Sequence, residues 1–147
     1  MDVGNPILDA HAYAGRTHTR GLGPPGVAPE QVARLYRLAG FDGVLLTASD
    51  TKEAPDLRAF AGAWSGRPLV RQAWSQDPRD PTSLDAALRV LDSVAAFALV
   101  PADVHVSPGD PRARALLELA AGTGRPLLID LEGDVPLPLA RGAIEAP

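Results

Sequence analysis

The chain has 147 residues, 46% hydrophobic and 22% charged, with a formal net charge of −4. That is long enough for one domain with its own core, and the composition is that of a soluble globular protein rather than a disordered or fibrous one. The 14 basic residues are scattered, which argues against a nucleic-acid surface, and there is no cysteine, which excludes disulfides, thiolate metal sites and a thiol nucleophile.

No run approaches the roughly 20 apolar residues of a membrane span. The opening Met1-Asp2-Val3-Gly4-Asn5 has neither a basic nor an apolar segment. It therefore predicts no signal peptide, and a cytoplasmic protein.

The first element is Pro6-Ile7-Leu8-Asp9-Ala10-His11-Ala12-Tyr13-Ala14-Gly15-Arg16. Residues two apart on a strand share a face. Strict alternation would put Asp9, His11 and Tyr13 on one side and Ala10, Ala12 and Ala14 on the other. Such a polar face is either the mouth of a site or a wet strand surface. A Gly/Pro-rich loop follows, in which Arg16, His18 and Arg20 could meet an anionic substrate or simply be solvated.

Pro29 and Glu30 start a helix whose Val32, Leu35, Tyr36 and Leu38 form a stripe, closed by Gly40. The apolar run over 41–49 reads as a strand covered on both faces. A helix over 55–64 carries Leu57, Phe60, Ala61 and Trp64 inward, and a strand over 68–74 ends at Trp74, a candidate pocket-lining residue.

Ser83 is the expected cap of a third helix with Leu84, Ala87, Leu88, Leu91 and Val94 on its apolar side. A strand over 96–100 leads to Asp103 and His105, two apart, which either share a site face or lie in a surface loop. Asp110-Pro111 opens a fourth helix bearing Leu116, Leu117, Leu119 and Ala120, and 126–131 reads as a fifth strand ending with Asp130. One junction occurs twice, Ser65-Gly66-Arg67-Pro68-Leu69-Val70 and Thr123-Gly124-Arg125-Pro126-Leu127-Leu128. In each, glycine ends a helix, proline blocks its continuation and an apolar strand begins. The order is α/β, with consecutive parallel βα repeats.

Asp9-Ala10-His11-Ala12-Tyr13 resembles the Asp-x-His-x-His signature that ends strand one in the amidohydrolase-related family of metal-dependent hydrolases and decarboxylases. The segment from Asp110-Pro111-Arg112 through Leu116-Leu117-Glu118-Leu119-Ala120 to Gly124-Arg125-Pro126-Leu127-Leu128-Ile129-Asp130 is similar to the same family's fourth helix and fifth strand. The resemblance implies a (β/α)8 barrel, of which this sequence would supply about five strands and four helices as one truncated domain over 1–147. It also implies a metal centre with two departures. Tyr13 stands where the second histidine belongs, and Asp130 where a strand-five histidine belongs. A phenol is a poor zinc ligand at neutral pH.

Three readings follow. In one, Asp9, His11, Asp130 and Glu132 hold a divalent metal, Zn²⁺, Mn²⁺ or Mg²⁺. In another the enzyme is metal-free: His11 is the general acid or base and Tyr13 and Asp130 assist on a small organic substrate touched by Arg16, His18, Trp74 and His105. In the third there is no catalysis, only a binding, regulatory or relic half-barrel. An open parallel sheet would leave edges and an apolar face uncovered, which predicts a homo-oligomer or a partner chain that completes the barrel. Neither nucleic acid nor membrane is expected as a partner.

Overall fold

The structure is a computed structural model that describes residues 6–15, 27–48, 51–99 and 111–129. Its elements alternate strictly: β1 (Leu8–Ala14), α1 (Pro29–Leu38), β2 (Gly43–Ala48), α2 (Ala54–Ala63), β3 (Leu69–Gln76), α3 (Ser83–Val90), β4 (Ala96–Leu99), α4 (Pro111–Thr123) and β5 (Leu127–Ile129). The chain divides into two compact units, Met1–Ala73 and Trp74–Pro147. In the first, β1 pairs with β2 and β2 with β3; in the second, β4 pairs with β5, and every one of these pairings is parallel. The α/β class and the parallel βα repeats are thus as the sequence predicts.

In the first unit the register defines two faces. Gln72 of β3 donates from its amide to the Ala54 carbonyl at the start of α2, 2.8 Å away, so its row faces the helices. That row contains Leu46, and Val44 and Val70 lie two residues earlier on the same side. All four are buried, as are Leu57 of α2 and Val32 and Ala33 of α1. The opposite face carries Leu8, Gly43 and Leu69 in one row, Leu45 and Arg71 in the next, then Tyr13, Thr47 and Ala73. At its N-terminal end this face is open, with Leu8 64% and Leu69 50% exposed.

Asp42 ties the strand starts of this unit together. Its N–H donates to the Ile7 carbonyl (2.8 Å), its carbonyl accepts from the Leu69 N–H (2.7 Å), and its carboxylate accepts from the Ile7 N–H (3.0 Å). The Arg67 guanidinium adds an ion pair at 2.8 Å, and the Arg67 carbonyl accepts from the Arg37 Nε–H. In the second unit Arg125, at the repeated junction, donates to the Val94 carbonyl just before β4, while the Phe97 N–H donates to the Pro126 carbonyl. Gly66 and Gly124 both take positive φ, +95° and +64°, the left-handed conformation that glycine adopts without strain.

Three expectations need correction. Leu35 and Leu38 of α1 are exposed rather than inward. The buried arc centres on Val32, Ala33 and Tyr36, and at about 100° per residue Leu38 falls nearly opposite it. Leu88 of α3 is half exposed for the same reason, since Ser83, Ala87 and Val90 define the buried side. Nor is Ser83 the cap of α3: it is the first helical residue, and the Asp80 carboxylate accepts from both the Thr82 N–H and its hydroxyl at 2.8 Å. The aspartate turn organises the helix start that the serine pattern suggested.

Asp42→Ala should lower stability by about 0.5–1.5 kcal/mol in urea unfolding, the net contribution of a hydrogen bond such as the one it accepts from the Ile7 N–H. Arg67→Ala should cost less than about 1 kcal/mol, since that guanidinium is largely solvated and an exposed pair contributes little.

Candidate functional site

The first strand does not alternate as its sequence suggests. Asp9 is in register with Val44, and Ala12 with Leu46, so three residues of β1 span two of β2 and the strand carries a bulge between them. Val44 and Leu46 face the helices; Asp9 therefore does too. Tyr13, in register with Thr47, lies on the other face. The expected shared face of Asp9 and Tyr13 is corrected accordingly, because one extra residue in a strand exchanges the faces beyond it.

The helix side confirms the placement of Asp9. The Tyr36 hydroxyl of α1 donates to the Asp9 carboxylate. The Tyr36 ring also packs edge-on against Phe41, centroids 5.0 Å apart. Burial, and then the hydrogen bond and negative charge of Asp9, push the phenol up from 10 to about 12. Read in the sequence as a core residue of a helical stripe, Tyr36 is a polar tether between α1 and the strand that carries the family-like signature.

On the face opposite the helices, Tyr13 is 40% exposed and its neighbour in register, Thr47, is 1% exposed. Among the described residues the Thr47 hydroxyl is buried without a hydrogen-bond partner, as are the Oε1 of Gln72 and both amide atoms of Gln76, the last residue of β3. Buried polar atoms normally find partners, so an orphaned hydroxyl near the C-terminal end of a parallel strand, as at Thr47 of β2, marks a position held for more than packing. Arg71, one row below Thr47, is exposed; its guanidinium donates a 3.3 Å hydrogen bond to the Val70 carbonyl, and it has no ion pair among the described residues.

Of the sequence-derived candidates, Asp9 and Tyr13 are brought to one strand on opposite faces, and Trp74 is buried within β3. Arg16, His18, His105, Asp130 and Glu132 lie outside the described residues, as does the side chain of His11. Thr47, Arg71, Gln72 and Gln76 were not candidates on sequence grounds. The signal available was a threonine within the apolar run over 41–49 and an arginine beside a glutamine within the strand over 68–74; Gln76 lies beyond the end of that strand as read.

Among the described residues no group of three His, Asp or Glu could hold a metal ion, and no helix is long and apolar enough to cross a membrane. Compared with family models, with curated proteins and with solved structures, the chain finds no match.

The Tyr36–Asp9 contact has a pH signature. The phenol's folded value lies above its unfolded value, so the stability it contributes is whole below pH 10 and is lost as the pH rises toward 12. Tyr36→Phe should cost about 1–3 kcal/mol at neutral pH. It should also flatten the fall in stability between pH 10 and 12, measured by urea unfolding across that range.

Proposed function

We propose that this chain is an amidohydrolase-like hydrolase or lyase of the cytoplasm, built as part of a (β/α)8-type barrel, that acts on a small organic molecule with an altered or lost metal site. The support for the kinship is the Asp9-x-His11-x-Tyr13 pattern on the strand that opens a series of parallel βα units. The observation that carries the altered site is the Tyr36–Asp9 hydrogen bond. A carboxylate turned to the helix layer and already engaged by a phenol of α1 weighs against Asp9 as a metal ligand beside His11, Asp130 and Glu132.

In this reading Asp9 is a structural acceptor. His11 serves as the general acid or base, with an imidazole that titrates near neutral pH, and the Tyr13 hydroxyl supplies a hydrogen bond to the reacting group. Asp130 remains a candidate for assisting it.

The test is turnover of a panel of lactones, amides and carboxylated aromatics by the purified protein, with and without EDTA, together with metal analysis. Activity that survives chelation and falls at least 100-fold in His11→Ala is the expected result. A stoichiometric divalent metal that is lost in Asp9→Asn, along with the activity, would overturn it.

A second reading, a non-catalytic half-barrel that self-associates, is favoured by the exposed Leu8 and Leu69 on the sheet face away from the helices. Sedimentation velocity at micromolar concentration, read beside turnover of the same panel, tests it. The half-barrel reading expects a dimer or larger species that Leu8→Asp and Leu69→Asp dissociate, and a compact monomer sinks it.

A further inference from the structure

We infer that the sheet face opposite the helices in the first unit is a subsite for the carboxylate of a small organic acid, held by Arg71 and Thr47 beside Tyr13. It rests on the proposal that this face serves a small-molecule substrate, and it names the chemical class of that substrate.

Three strands contribute one polar group each. Tyr13 (β1) and Thr47 (β2) are in register, and Arg71 (β3) is one row away on the same face, beside Leu45. Neighbouring strands lie about 4.8 Å apart, so the long Arg71 and Tyr13 side chains can both reach over the central strand where Thr47 sits. The charge of the face is one-sided. Its described strand positions are Leu8, Tyr13, Gly43, Leu45, Thr47, Leu69, Arg71 and Ala73, with no carboxylate among them. The acid of β1, Asp9, is turned to the helices by the bulge and by Tyr36.

An exposed guanidinium with no ion pair among the described residues, on a face with no acid at its described strand positions, selects for an anion. The Thr47 hydroxyl is the independent sign of a ligand: it is buried, it has no hydrogen-bond partner among the described residues, and an O–H can donate to the second carboxylate oxygen. Leu45 and Leu69 beside these groups give an apolar body somewhere to lie.

The probe is cyclohexanecarboxylate, titrated into the full chain by calorimetry and by amide chemical shifts, with neutral cyclohexanecarboxamide as control. The carboxylate should bind saturably and at least ten times more tightly than the amide, shifting the amides of Tyr13, Leu45 and Arg71. Arg71→Gln should weaken it at least tenfold. Thr47→Val should weaken it several-fold while the melting temperature holds or rises, since the variant deletes an unsatisfied buried hydroxyl, and Thr47→Ser should retain affinity. Absence of saturable binding to the folded wild type, or equal affinity in Arg71→Gln, overturns the inference. Turnover of a lactone or amide without carboxylate binding defeats the subsite and leaves the enzyme reading standing. Carboxylate binding with no turnover of any panel member does the reverse.

Discussion

The hydrogen bond from the Tyr36 phenol to the Asp9 carboxylate is the contact on which the first unit turns. It is formed between a helix and the first strand, and it is coupled to a bulge that changes which side chains of β1 look toward the helices. A carboxylate on the helix-covered side is costly unless a donor meets it, and the phenol is that donor. With Asp9 so engaged, the other face of the sheet has Tyr13, Thr47 and Arg71 and no acid among its described strand positions. Both the argument against Asp9 as a metal ligand and the argument for an anion on the far face descend from this one arrangement.

The order of elements was legible in the sequence because it depends on local chemistry. Proline at the start of α1, glycine at positive φ after α2 and α4, and runs of apolar residues for β2 and β4 each have a short-range physical cause. The faces were less legible. Leu35 and Leu38 satisfy a helical spacing yet point away from the sheet, because which arc of a helix is buried is settled by what it packs on, here through the smaller Val32 and Ala33. The bulge in β1 could not be read from an alternation of alanines with polar residues, since an inserted residue leaves no mark in composition. It is a property of pairing with β2.

The polar residues within β2 and β3 make the same point from the other side. Thr47 and Gln76 occupy strand positions where a purely structural sheet would carry valine or isoleucine, and each buries at least one side-chain atom with no hydrogen-bond partner among the described residues. Replacing such a group by an apolar one of similar shape is often neutral or favourable for folding. Their presence therefore weighs against a chain whose every residue serves stability. Departures of this kind, local losses without a local gain, concentrate where a protein does something.

The duplicated glycine–arginine–proline junction carries a consequence for how such a chain can change length. Arg67 reaches back to Asp42, immediately before β2, and Arg125 to the Val94 carbonyl ahead of β4, so each arginine works as a ruler between the end of a helix and the root of the preceding strand. An insertion or deletion at that end would pull the guanidinium off its mark and disturb the pairing beside it.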